Sequence, residues 1–212
     1  MSKGLGAETD LVSRELHLRE WVRRKLGGVG HELRVARVAE MLFHLTRRWH
    51  ELGRGECRLL TMGALVHDVG RAEGEDGHAK AGARMVMENT SLPLTEGERR
   101  RLAFMARHHR GRVPEEGEEC YLDREADHGG VMRILLGLLR AADALDSRTG
   151  EAPQLVATIR GRQMTIFGYV AGDAEAAAAT LGRPKKFRLL EATLGCEVQM
   201  EWFSTDRLAL VS

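Results

Sequence analysis

Asp143 lies inside the most apolar segment of the chain, Leu135 to Leu145, which reads as a helix. A carboxylate is almost never fully buried without a partner, because nothing in an apolar interior replaces the water that solvated its charge. The fold must therefore bring a metal ion or a cationic group to that helix. Residues able to hold a metal are spread along the chain. His67-Asp68 ends the apolar segment Leu59 to Val66, His31 opens an earlier amphipathic helix, His78 starts a later one, and His108-His109 ends another. Imidazole and carboxylate together suit divalent transition metals such as Mn, Fe, Zn, Co or Ni. A ligand shell gathered from several helix ends and faces is what an all-α bundle can build. His31, His67, Asp68, His78, His108, His109 and Asp143 are the expected ligands, for one or two ions per chain.

Apolar spacing predicts helices over 11–26, 31–52, 56–69, 78–89, 95–109 and 131–147, the fifth opened by a Thr95/Glu98 capping box. Residues 1–10 are small and polar and are expected to fray. The acidic stretch between Gly111 and Gly130 reads as a solvated insertion, with a functional lid or docking against Arg99, Arg100 and Arg101 as its alternatives. Composition changes near Gly150 to Pro153. Beyond it, strands at 155–159 and 164–169 flank a Gly161-centred turn, helices follow at 174–181 and 185–194, and a strand runs from Cys196 to Phe203. The fold class is mainly α: a helical metal-binding domain over 11–150 and a β-β-α-α-β appendage over 151–212. An appendage of that size is marginal alone and should pack on the helices, in a structural or regulatory role.

Lys plus Arg number 32 against 31 Asp plus Glu, so no global field draws the chain to nucleic acid as its primary partner. No apolar run approaches the ~20 residues that span a bilayer, and the first ten residues carry no signal-peptide apolar region. Cys57, Cys120 and Cys196 are odd in number and form no Cys-x-x-Cys, which suggests reduced thiols in a cytoplasm. His17, His44, His50 and His128 have no partner at ligand spacing and read as surface or capping residues.

The order His31, His67-Asp68, distant Asp143 resembles the HD-domain metal-dependent phosphohydrolases. The stretches Met62 to Arg71, His78 to Arg84 leading to Asn89 to Leu94, Ala106 to Arg110, and Leu138 to Asp146 are similar to the helical C-terminal part of the exopolyphosphatase/guanosine pentaphosphatase family, over roughly residues 15 to 205. That family cleaves phosphate mainly in an actin-like ATPase domain. These 212 residues contain neither that domain nor a Gly-rich phosphate loop after a strand, so exopolyphosphatase activity does not carry over. His78 with Gly82, and the His108-His109 pair, also resemble the second metal site of the HD-GYP cyclic-dinucleotide phosphodiesterases. The Gly-Tyr-Pro signature itself is absent.

These resemblances imply metal-assisted hydrolysis of a phosphate ester or anhydride of a nucleotide or polyphosphate-like small substrate. One cation is expected on His31, His67, Asp68 and Asp143, and a second on His78, His108 and His109, with Asp68 bridging them and a shared water activated between them. Arg71 and Asp68 are the expected catalytic pair, and Arg71, Lys80 and Arg110 the residues that hold phosphoryl oxygens. The reading involves no membrane and admits a homodimer. The competing class is a catalytically silent HD-domain sensor or regulatory module binding a phosphorylated ligand, separated from the enzyme by occupancy of the second metal site and an open cleft beside it.

Overall fold

The computed structural model describes residues 3–113, 121–122, 130–146, 152–181 and 183–207, with 3–12 and 207 as backbone alone. The chain is mainly α, as expected, with eight α-helices and a small three-stranded sheet among the described residues. Helices α1 (Lys3–Leu26), α2 (Gly30–His50), α3 (Arg54–Val66), α4 (His78–Glu88), α5 (Glu96–His108) and α6 (Val131–Ala144) build the bundle.

Helix α6 is its hub. Met132, Leu135, Leu136, Leu138, Leu139, Ala141 and Ala142 are all buried. A helix apolar on nearly every face needs neighbours on every face, and α6 packs against α2, α3, α5 and α8. Helix α1 begins at Lys3, well before the expected Leu11. Leu18, Trp21 and Val22 are buried and anchor its C-terminal half. Once that half is nucleated, each earlier residue adds a hydrogen bond without a new nucleation cost.

The helix expected over 56–69 ends at Val66, after which the chain tightens into a 3-10 helix, Val69–Glu73. Gly70 there passes so close to α4 that a Cβ would lie 2.0 Å from the His78 carbonyl oxygen and 2.3 Å from the Gly82 nitrogen. Tertiary packing therefore overrides the apolar periodicity at this point. Helix α6 likewise stops at Ala144, three residues before the expected end, which leaves Asp146 off the helix. The Thr95/Glu98 capping box forms, with the Glu98 amide donating to Thr95 Oγ1 at 3.2 Å and the Thr95 amide to Glu98 Oε2 at 2.7 Å.

Most of the acidic 111–130 segment lies outside the described residues. Its expected docking against Arg99, Arg100 and Arg101 therefore lies outside them too; the Arg99 guanidinium is buried and donates to the carbonyls of Val86, Asn89 and Leu92, closing the end of α4.

The appendage follows the expected element order. β1 (Gln154–Arg160) and β2 (Gln163–Val170) form an antiparallel hairpin, with Gly161 at φ 58° in its two-residue turn. β3 (Glu197–Ser204) pairs parallel to β2. A parallel return needs a long crossover, supplied by α7 (Ala174–Leu181), a 3-10 turn (Pro184–Lys186) and α8 (Arg188–Leu194). That turn and α8 replace the single helix expected over 185–194. The register puts Ile159, Met164 and Val198 in one row and Ala157, Ile166 and Met200 in the next, on one face. Buried Met164 and Ile166 join the same apolar core as α2, α3 and α6. Helix α8 settles on α6 at Gly137, where a Cβ would stand 3.1 Å from the Leu190 backbone.

Candidate metal centre

The four imidazoles are oriented by one device. His67, His78 and His109 each place Nδ1 on the carbonyl oxygen three residues earlier: Ala64 at 2.7 Å, Glu75 at 2.7 Å and Ala106 at 2.8 Å. His67 and His109 do so at the C-caps of α3 and α5, where helix carbonyls lack intrahelical partners, and His78 at the first residue of α4. His31, on the first turn of α2, places Nδ1 2.6 Å from Asp146 Oδ2. Each Nδ1 is thus engaged, and the Nε2 atoms turn inward in two pairs, His31 with His67 and His78 with His109.

Two clusters result. His31 Nε2, His67 Nε2 and Asp143 Oδ1 lie 3.3 to 3.4 Å apart. His78 Nε2, His109 Nε2 and Asp68 Oδ1 lie 3.1 to 3.3 Å apart. Ligands about 2.1 Å from one ion are separated by about 3.4 Å in a tetrahedron and about 3.0 Å at an octahedral right angle. The spacing of both trios is that of donors around a shared cation. Asp68 joins them, since its Oδ2 lies 3.6 Å from His67 Nε2 and 3.9 Å from His31 Nε2. His31, His67, Asp68, His78 and His109 are all buried, and Asp143 is 15% exposed.

The surrounding charges hold this arrangement. Arg34 donates through Nε and Nη2 to the two oxygens of Asp146, at 2.7 and 3.0 Å. Burial pushes the Asp146 carboxyl up, but the bonds from His31 and Arg34 outweigh it and keep it below the ordinary value. Arg71 Nε donates to Asp68 Oδ2 at 2.9 Å, and its Nη1 meets Glu75, which also faces Arg110 Nη1 at 3.8 Å. Arg140, buried in α6, donates to the carbonyls of His108 at 3.2 Å and Gly111 at 2.8 Å and so closes the end of α5 beside His109. A cleft of about 510 Å³ lined by Lys25, Gly28, Gly30, His31 and Arg71 opens beside the centre.

The donor set fits a pair of divalent cations. Burial pushes the His78 ring down against the opposing bond to the Glu75 carbonyl, with the Arg71 charge adding to the lowering, and burial, then the neighbouring His67, pushes His109 well down, so both rings favour the neutral form. With Nδ1–H committed, each presents a lone pair to Asp68 Oδ1, and three acceptors meet without a proton between them. A cation reconciles them. For Asp143, burial works upward, but side-chain hydrogen bonds with His31 and His67 outweigh it in the metal-free centre and hold the carboxyl well below its usual range; a cation would take the place of those hydrogen bonds.

The family model "Ppx/GppA phosphatase, domain III" matches residues 28–166, more than half of the chain. The chain belongs to this family. No curated protein matches it. The matched Ppx/GppA domain III segment contains all four imidazoles and both carboxylates of the two clusters, together with Asp146, and it ends within β2.

Several expectations need correction. His108 belongs to neither cluster. Its ring packs 4.9 Å from Phe104, because only one of two adjacent residues at a helix end can face the centre. Lys80, expected to hold a phosphoryl oxygen, is exposed on α4. His44 does have partners near ligand spacing: Glu40 on α2 and Cys57 on α3 each offer an atom within 4.8 Å. Burial, and next Glu40, pushes the Cys57 thiol up to about 11, so a cation there would have to displace a firmly held proton. His17 is exposed and His50 caps the end of α2, as expected, while His128 lies outside the described residues. Two functional neighbours escaped sequence reasoning. Asp146 sits three residues after Asp143, a spacing that could have drawn attention to it. Lys186, whose Nζ lies 3.6 Å from Asp143 Oδ2, comes from the appendage and carried no local signal.

Proposed function

We propose that this protein is a metal-dependent phosphohydrolase acting on an ester or anhydride bond of a small phosphorylated substrate, such as a nucleotide or a polyphosphate-like compound, in the cytoplasm. The observation that carries this reading is Asp68, whose two oxygens face two different ligand trios. One ion would be held by His31, His67 and Asp143, the other by His78 and His109, with Asp68 shared between them. Two divalent cations so placed would polarise a phosphoryl oxygen and lower the pKa of water between them.

The chain's own groups do the rest. Asp68 fixes the separation of the two positions, and Arg71 holds Asp68 in place from the rim of the cleft. Arg110, half-exposed next to His78, can reach a substrate oxygen, and its planar guanidinium suits a phosphoryl group. The cleft beside His31 gives a ligand of nucleotide size access to the centre. The second ligand trio favours turnover over a silent sensor, which needs only one position to hold its ligand.

The test is phosphate or phenol release by the Mn²⁺-loaded protein from nucleotides, guanosine tetra- and pentaphosphate, cyclic dinucleotides, polyphosphate and p-nitrophenyl esters. Asp68→Asn should lower kcat more than it raises KM, because the shared carboxylate acts mainly on the transition state. If the loaded wild type cleaves none of these above the Asp68→Asn background, the sensor reading replaces the enzyme.

A further inference from the structure

We propose that Lys186, carried to the centre by the C-terminal appendage, holds a phosphoryl oxygen of the ligand bound at the His31–His67–Asp143 cluster; the proposal rests on the phosphohydrolase reading above. Lys186 belongs to a basic run with Arg183, Lys185 and Arg188. Those three are exposed, and Lys186 alone is half-buried and turned inward. Core packing sets its position. Pro184 opens the 3-10 turn, Phe187 beside it is buried at 1% exposure, and the following helix rests on α6 at Gly137.

Asp143 divides its oxygens, with Oδ1 toward His31 and His67 and Oδ2 toward the Lys186 ammonium. At 3.6 Å the ammonium pairs with Asp143 electrostatically but lies beyond hydrogen-bond length. It is therefore near the centre without being locked to it. Two divalent cations held by two carboxylates and imidazoles would keep an excess of positive charge, and the nearby ammonium would add to that excess. Such an arrangement is unfavourable unless an anion lies among the cations. A lysine ammonium is a compact point charge well suited to a phosphate oxygen. On this account the appendage supplies part of the binding site, beyond its structural role.

The experiment is calorimetric titration of inorganic phosphate into the Mn²⁺-reconstituted full-length chain, with metal content and melting temperature recorded for each variant. Lys186→Gln and Lys186→Met, which keeps an unbranched aliphatic stem, should each weaken phosphate binding about tenfold or more while metal content stays at the wild-type level. Lys186→Arg should retain most of the affinity. Lys185→Gln, the same charge change one residue away, should bind like the wild type. The proposal is overturned if Lys186→Gln or Lys186→Met binds phosphate as tightly as the wild type, if Lys185→Gln loses as much, or if the Lys186 variants lose their metal, which would make the ammonium a support for Asp143 alone. A wild type that hydrolyses the substrate panel and binds phosphate while Lys186 proves neutral sinks only this inference. A loaded wild type that neither binds phosphate nor turns over sinks the phosphohydrolase reading with it.

Discussion

Every imidazole of the candidate centre engages a neighbour through Nδ1 and leaves Nε2 facing the other potential ligands, so ligand and supporting partner make separable predictions. His67→Ala or Asp143→Ala removes a donor from the first trio, and each should lower the transition metal measured by ICP-MS on protein purified without chelator. His17→Ala, on the exposed face of α1, should leave it unchanged. Asp146→Ala removes no ligand but frees the His31 ring and takes away the carboxylate that Arg34 grips. It should weaken metal affinity by roughly 10- to 100-fold, the usual range for loss of such a partner. Equal metal affinity in a competition assay would contradict this role. His50 provides a pH prediction away from the centre. Its Nδ1 accepts from the Leu52 amide at 3.0 Å and its Nε2 donates to the Phe43 carbonyl at 3.1 Å, so only the neutral ring satisfies both. Burial pushes this ring below the ordinary imidazole value. A depressed folded-state pKa means the stabilisation is fully present above the unfolded value of about 6.5 and is lost as pH falls through the folded one. His50→Gln should therefore lower the melting temperature at pH above that value and flatten its decline on acidification. An unchanged slope would rule His50 out as a contributor.

At the scale of elements, the centre depends on where helices stop. Had α3 continued past Val66 along its apolar periodicity, His67 and Asp68 would not stand at a corner facing α2, α4 and α5. The 3-10 tightening at Val69–Glu73 makes that corner, and Gly70 allows it by approaching the α4 backbone more closely than any side chain permits. Gly70→Ala directs a methyl group at backbone atoms, which have little room to yield. It should destabilise the metal-free protein by about 3 kcal/mol or more in urea unfolding and reduce metal binding by parting Asp68 from His78. Normal stability and metal content in this variant would show that the two segments slide apart freely. These boundaries were not legible in the sequence, because periodicity reports which face is buried and not where a neighbouring backbone will crowd the chain. The capping box at Thr95 and the hairpin at Gly161 were legible, since both depend only on residues a few positions apart.

At the scale of the whole molecule, helical part and appendage share one apolar core. Met164, Ile166, Phe187 and Leu190 are buried in it together with residues of α2, α3 and α6. Cutting the chain at Gly150 should therefore expose the α6 surface that α8 and the sheet cover. The truncated protein should show a lower melting temperature and self-association on size-exclusion chromatography. A monodisperse truncation with an unchanged melting temperature would mean that the appendage is only loosely attached. Truncation should also abolish the contribution of Lys186, a loss distinguishable from misfolding only through the point variants.

The sequence by itself determined the mainly α class, the order of elements and the family resemblance, together with six residues of the two clusters: His31, His67, Asp68, His78, His109 and Asp143. A buried carboxylate in an apolar helix and histidines at helix ends are local facts that need no partner to be read. Tertiary structure alone decided which ligands stand together, that His109 and not His108 faces inward, that Asp146 aims His31, and that a lysine far along the chain meets Asp143. The physical reason is the range of the interactions. Side-chain direction at a helix end changes by about 100° per residue, so membership of a ligand shell is settled by small rotations, and those are set by packing between segments distant in sequence.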